Sequence, residues 1–523
     1  MTPGQGARTS RNMDAWAKVA TERGPVSSGR RSADPGWRDW FLRHGQLVAV
    51  AAVVSVPLVV WAVGWIAQGW LPQGDEAIIA LKARDVFSAH PPLLGMRSTS
   101  GLSVPGASAH HPGPLEFYLL AIPYLVSGWR SAGLVVGCLV LAIGFVTVAL
   151  WHGWVAGRER GLGVVLASIL GAELIIGPSL VLPWNPWPPV LGLLAVMVLA
   201  WRLFLGHVRV LPWFTAITSF VVQANLTFVA LLLPLLGVLA GVGIVRWHRR
   251  HGAWWPLSRE IGAGDTPVWR RTGVLASALL ILCWLPSLVE LWLIHPNNAS
   301  QIWALGMGTH GPAAVVGALI VLLIAVWVGR SVLRRRRVPV RWAIRRTAGL
   351  MALGALLAIA AGGSGRLLYL IMAITVPFFV MGAIGYRRLR FRVPRRGNLA
   401  AIGAALAVAG AVVAPGAPGS MFITPRESSD VDRARAVVGS ATAALRADGL
   451  RGGPVIVDAD GGRSYSSYQT AIVIALRNDG YTPYYDSPWP HPEDDAFRRT
   501  VHAPRTAPIL RLHDGRAPWV VRR

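Results

Sequence analysis

Two things are scarce in this chain: cysteine and charge. Only Cys138 and Cys283 occur in 523 residues, and both sit inside apolar runs. That rules out a disulfide framework or a thiolate-ligated metal site, and both read as core fillers. Charged residues make up 15% of the chain, against about a quarter in a typical soluble protein. No apolar stretch precedes Leu47, so no cleavable signal peptide is expected. There is no internal repeat, and no inverted pair of broken helices of the kind transporters carry. Within the C-terminal tail, 416–523, a nucleophile elbow, a P-loop and metal-ligand spacing are likewise missing.

What is abundant is apolar sequence. Hydrophobic residues reach 53%, with 24 Trp, and runs near the length of a bilayer crossing recur along the chain. The pattern is that of a polytopic α-helical membrane protein. The formal net charge of +26 is no nucleic-acid signal, because the arginines cluster between apolar runs. Cytoplasmic loops of membrane proteins collect basic residues in that way.

Residues 1–46 are rich in Gly, Ser, Arg and Pro and read as a disordered cytoplasmic tail. A first span over about 47–70 leads to a long outer loop, 71–111, and a loop of that length is usually functional. It opens with Gly74-Asp75-Glu76-Ala77 and an amphipathic helix over 78–87. Ile79, Ala83 and Val86 form one face of that helix, and Lys82 and Asp85 point elsewhere. The helix is expected to lie in the membrane interface. The stretch 115–128 is apolar but broken by Pro123. It is short for a crossing, and reading it as a second interfacial or re-entrant helix keeps every basic loop on one side. Alternation then gives about 11 transmembrane helices. The apolar run 211–245 is split at Gln223-Ala224-Asn225, and the last span covers about 398–414. Residues 47–415 form the membrane domain. Residues 416–523, with 14 Arg against 12 acids, form a small extracytoplasmic α/β domain. Its strands are expected at 455–457, 509–512 and 519–521, its helix at 468–478, and Asp458-Ala459-Asp460-Gly461-Gly462 reads as a plain turn.

The outer face collects the chemistry: Asp75, Glu76, His110, His111, Glu116, Asn185, Gln223, Asn225, Arg366 and Tyr369. Ionisable groups at membrane depth are functional candidates. Carboxylates at the boundary suit acid/base work, because their desolvation can be tuned. The structural alternatives are specific. Asp75 would merely cap its helix, and His110 and His111, adjacent in sequence, lack metal-binding spacing. Asn185, Gln223, Asn225 and Glu116 would line the acceptor side or a cavity. Glu173 would pair with a neighbouring helix, Glu290 and His295 would be solvated at a span end, and Trp184 and Trp187 would be interface anchors rather than a sugar-stacking platform. Arg366, after Gly362-Gly363-Ser364-Gly365, stands alone on the face where arginine is rare. A guanidinium there matches a lipid phosphate bidentately, and the alternative is a snorkelling arginine.

Taken in order, these positions resemble the GT-C superfamily of membrane glycosyltransferases, and within it the protein O-mannosyltransferase and aminoarabinose-transferase branch. The likeness covers roughly residues 47–385. It rests on Asp75-Glu76 after the first span, on His111-Pro112-Gly113-Pro114-Leu115 (with His90-Pro91-Pro92-Leu93 as a second candidate), and on Arg366-Leu367-Leu368-Tyr369 followed by Pro377. The general character also resembles membrane proteins of high-GC Gram-positive bacteria. The resemblance implies an inverting enzyme at the outer membrane face, using a polyprenyl-phosphate-linked sugar and a glycan, lipid or protein acceptor, with no organic cofactor and an open divalent-metal requirement. It implies Asp75 as general base and Glu76 as its assistant. Arg366, Tyr369, His111 and His110 would form the donor and phosphate site. One departure stands out: Asn185 occupies a place where many relatives carry a second acid, which leaves a two-carboxylate mechanism in doubt. Two rivals stay open, a transporter or flippase of a lipid-linked sugar and a non-catalytic scaffold in cell-envelope assembly.

Overall fold

The computed structural model describes residues 37–98, 109–251, 266–309, 312–334, 339–360, 431–462, 464–486 and 497–522, with isolated positions between 378 and 410. Its helices follow the apolar runs. In chain order they are α1 (Trp37–Ala67), α2 (Gly74–Asp85), α3 (Leu115–Val126), α4 (Ser131–Ile176), α5 (Pro188–Phe204), α6 (Leu211–Ala224), α7 (Leu226–His251), α8 (Thr266–Leu293), α9 (Asn298–Thr309), α10 (Pro312–Leu333) and α11 (Val340–Ala360). Among the described residues five helical stretches are long and apolar enough to cross a membrane: Leu47–Ala67, Ser131–Val181, Leu226–Arg249, Arg270–Leu293 and Val340–Ile359. The chain is a helical membrane protein. The last two expected spans lie outside the described residues.

α1 begins at Trp37, inside the stretch expected to be disordered. α4 is two helices meeting at Arg158, whose φ of 53° and ψ of −138° are non-helical. There the chain turns back on itself. Gly153 and Gly161 touch across the turn, where a side-chain carbon on Gly161 would strike the Gly153 carbonyl. The hairpin therefore realises the expected second and third spans. α5 is apolar all round because it is the centre of the bundle, with every residue from Pro188 to Arg202 buried. It packs against α4 and α6. By contrast α8 exposes Val274, Ile281, Leu282, Leu285 and Leu293, a surface suited to lipid rather than water. α6 and α7 break at Asn225, an extended residue with φ −157° and ψ 138°, within the expected split.

The C-terminal residues form α12 (Val431–Ala447), β1 (Gly453–Asp460), α13 (Gln469–Asn478), β2 (Tyr481–Tyr484), β3 (Ile509–His513) and β4 (Trp519–Val521). The sheet order is β2-β1-β3-β4. β1 runs parallel to β2 and β3, with Gly453 opposite Tyr481 and Ile456 opposite Ile509, and β4 is antiparallel to β3. Val455, Ile456 and Val457 are consecutive and buried, as expected of a central parallel strand covered on both faces. Asp458 to Asp460 continue this strand instead of forming the expected turn, and the chain reverses only at Gly461. β2 escaped the sequence reading because Pro483 interrupts it. At the sheet edge, where β2 lies, a missing N–H costs no ladder bond.

The C-terminal segment sits on α2. α13 and α2 run side by side in the same direction: Thr470 Oγ1 donates to the Gly74 carbonyl at 3.2 Å near one end, and Arg84 Nη1 donates to Asn478 Oδ1 at 2.6 Å near the other. Parallel helix dipoles repel, and the sequence offsets this with Asp75 and Glu76 in the first turn of α2 and Lys82, Arg84 and Arg477 in the last turns. The expectation that Lys82 and Asp85 point away from the buried face of α2 is thereby corrected. Lys82 and Asp85 are buried along with Ile79 and Ala83, because α3 covers one side of the helix and α13 another.

Candidate functional site

Adjacent residues on a helix point about 100° apart, so Asp75 and Glu76 cannot share an environment. Asp75 is exposed and Glu76 is 3% exposed. Asp75 is not the cap of α2. Gln73 occupies that position and its carbonyl takes the first helical bond, from the Glu76 N–H at 3.0 Å. The Asp75 carboxylate instead accepts a hydrogen bond from the indole Nε1–H of Trp184, at 3.0 Å. Glu76 is buried, as is Glu116 at the start of α3. Burial pushes the Glu116 carboxyl well above the usual carboxylate range, and its Oε1 has no hydrogen-bond partner among the described residues.

The loop 183–187 connects this acidic end to the break between α6 and α7. Asn185 is buried, and its Nδ2 donates to the Ala224 carbonyl at 2.9 Å. Gln223, fully buried, accepts the Leu115 N–H at 3.2 Å and donates to the Cys283 carbonyl at 2.8 Å. It lies so close to Gly113 that any side chain there would strike it. Asn225 Nδ2 lies 3.3 Å from His111 Nε2, and the Leu226 N–H donates to His111 Nδ1 at 3.2 Å. His111 thus accepts from the exposed start of α7, the part of a helix where backbone N–H groups lack internal partners. Burial, reinforced by neighbouring His110, lowers its pKa to about 3, so the ring is neutral and free to accept.

His110 is fixed through its backbone. Its N–H donates to Asn298 Oδ1 at 2.8 Å, and its carbonyl accepts from Asn298 Nδ2 at 3.2 Å. Asn298 is held in turn by Glu290, whose Oε1 accepts the Asn298 N–H at 2.7 Å. Glu290 is 3% exposed, so the solvated carboxylate expected there is in fact a buried support, while His295 is exposed as expected. Ser287 Oγ donates to the Pro112 carbonyl at 2.9 Å, and residues 95–98 add a short antiparallel pairing with 109–111. Sequence reasoning missed Asn298 and named Glu290 only as a solvated residue; the loop without basic residues, 295–311, was the one signal for Asn298.

Bonds along the chain therefore join Asp75, Trp184, Asn185, Gln223, Asn225, His110 and His111 into one end of the bundle. Arg366 and Tyr369 lie outside the described residues. Trp187 is 1% exposed, so it is a core residue and not an interface anchor. Glu173 is buried with neither carboxylate oxygen bonded among the described residues, which corrects the expected pairing. Among the described residues no three His, Cys, Asp or Glu side chains are grouped to hold a metal ion.

Fold and site together define a helical membrane protein with an acidic, aromatic-flanked site at one end of its bundle. No protein-family model and no curated protein matches the chain. Among solved structures it is similar to the crystal structure of ArnT from Cupriavidus metallidurans bound to undecaprenyl phosphate, at 14% identity over 86% of this chain and 76% of that one, with a TM-score of 0.35.

Proposed function

We propose that the protein is a glycosyltransferase that moves a sugar from a polyprenyl-phosphate donor to an acceptor hydroxyl at the outer face of the membrane. The observation that carries this reading is the Asp75 carboxylate: exposed, oriented by one indole N–H, and set at the end of a helix packed on both sides. A general base must reach an incoming hydroxyl, and the exposed Asp75 meets that need better than its buried neighbours Glu76 and Glu116. In an inverting displacement the acceptor oxygen attacks the anomeric carbon, the bond to the phosphate oxygen breaks, and Asp75 takes the hydroxyl proton. The phosphate leaves with its charge, which Arg366 stabilises in this proposal. Tyr369, His110 and His111 belong to the donor side. Glu76 assists Asp75, and Asn185, Gln223, Asn225 and Glu116 shape the pocket from behind.

The topology proposed with this function has about 11 spans over 47–415, a cytoplasmic tail over 1–46 and an extracytoplasmic α/β domain over 416–523. The basic residues Arg158, Arg202, Arg249 and Arg330 then face the cytoplasm. The test is sugar transfer from a polyprenyl-phosphate hexose or pentose in proteoliposomes. Asp75→Asn should abolish transfer and leave the protein folded. Full activity in that variant would remove Asp75 from the chemistry.

A further inference from the structure

The residue that touches Asp75 was read from sequence as a membrane anchor, and the structure puts it to a different use. Trp184 is half-buried, and three contacts hold it. Its Nε1–H is committed to Asp75 Oδ2 at 3.0 Å. Its ring meets Trp187 edge to face, with centroids 5.0 Å apart and planes at 65°. Its carbonyl accepts the Trp187 N–H at 2.7 Å, and the next residue, Asn185, is pinned to the Ala224 carbonyl. A membrane anchor needs freedom to follow the headgroup level, and this indole has little. A buried Trp usually finds a partner for its N–H, but here the partner is a surface carboxylate. The ring is therefore set beside Asp75 with part of its surface open.

We infer that Trp184 and Asp75 form one saccharide subsite, in which the indole face carries the ring of the acceptor sugar and the carboxylate receives its hydroxyl. A rigid aromatic surface beside an acceptor of hydroxyl hydrogen bonds suits a pyranose, which presents an apolar C–H face and polar edges. Binding sites commonly pair aromatic walls with a few placed polar groups. The Nε1–H adds a second role, for which Trp184 is a positioning residue: it fixes the direction of the Asp75 carboxylate. The inference rests on the reading of Asp75 as the base, and it narrows the acceptor to a hexopyranose-containing glycan.

The two roles separate by substitution. Trp184→Phe keeps an aromatic face and loses the N–H, while Trp184→Leu loses both. In full-length protein in nanodiscs, saturation-transfer NMR with methyl β-D-glucopyranoside, methyl α-D-mannopyranoside and methyl β-D-galactopyranoside reads the face directly. Saturation should reach at least one glycoside in the wild type, persist within about twofold in Trp184→Phe, and fall about tenfold in Trp184→Leu, the ratio of a single well-made contact. In turnover with a short-chain polyprenyl-phosphate hexose, Trp184→Phe should lower kcat about tenfold at unchanged acceptor KM, whereas Trp184→Leu should raise KM as well. Equal glycoside binding by wild type and Trp184→Leu would overturn the inference, as would the absence of saturation in the wild type across the panel. Loss of binding together with a fall in thermal midpoint in both Trp184 variants would reduce Trp184 to a structural role. If Asp75→Asn retains full transfer while Trp184→Leu loses glycoside binding, the saccharide subsite stands and the base lies elsewhere.

Discussion

The two ends of α2 treat a carboxylate in opposite ways. At the start of the helix Asp75 is exposed and accepts a hydrogen bond from the neutral Trp184 indole. At its end Asp85 is 2% exposed and gripped by two guanidiniums, Arg477 at 2.7 Å and Arg498 in close contact. Arg84 stands beside them, its guanidinium lowered by burial and by Arg477, with its head over the Trp129 ring. One carboxylate is accessible to a reactant and the other is locked into a fold. A helix carrying a reactive group needs such an anchor, because a shift of about 1 Å at the reacting atoms can cost roughly a hundredfold in rate. Asp85 ties the α2 backbone to the C-terminal α/β segment, which makes that segment part of the support of the proposed site.

Substitutions at the two ends should therefore separate cleanly. The largest effect is expected for Asp75→Asn, a loss of transfer of about 10²–10⁴-fold with an unchanged thermal midpoint in detergent. An equal loss of midpoint would make Asp75 structural and erase the contrast. Asp85→Ala should do the reverse. It leaves Arg498, 6% exposed, without its carboxylate, and breaking a buried pair from one side costs about 3–5 kcal/mol. Limited proteolysis should then release the C-terminal segment, and activity should fall in proportion to the folded fraction. A stable, fully active Asp85→Ala protein would show that the clamp supports nothing.

His111 offers a third measurement, away from both carboxylates. Folding holds its ring neutral, with a pKa of about 3 against about 6.5 in the unfolded chain. As the pH falls through 6.5 the unfolded state takes up a proton that the folded state refuses. The stability this group contributes is complete above pH 6.5 and declines as the pH falls towards 3. The thermal midpoint should drop between pH 7.5 and 5, and His111→Gln should flatten that slope. The smallest effect belongs to Arg435, which donates to the Gln68 and Gly69 carbonyls just past α1. Arg435→Ala should cost about 0.3–1 kcal/mol, the range of a cation at a helix end, seen as a small midpoint shift at full activity.

Much of the local structure was legible in residue order. The apolar runs, the pause at Gln223-Ala224-Asn225 and the hairpin before Gly161 follow from hydrophobic length and from basic residues between spans. The apolar triplet at 455–457 marked a central strand. What escaped depended on partners distant in sequence. Asp85 looked like a solvent-facing residue because its two arginines lie in a segment that begins far down the chain. Trp184 and Trp187 look alike in Pro183-Trp184-Asn185-Pro186-Trp187, yet one meets a carboxylate and the other is sealed in the core. Glu116 read as a pocket-lining residue, and the packing of α3 buries it.

Residue order alone determined that this chain spans a membrane, where its helices break, and that acids, histidines and amides gather in the non-basic loops. These are consequences of transfer free energy and backbone hydrogen bonding, both of which act within a few residues. Only the tertiary structure decided which of two adjacent carboxylates faces water, which tryptophan supports it, and which arginines close on Asp85. Those outcomes depend on the direction of each side chain and on what the opposing helix places against it, and no local pattern encodes either.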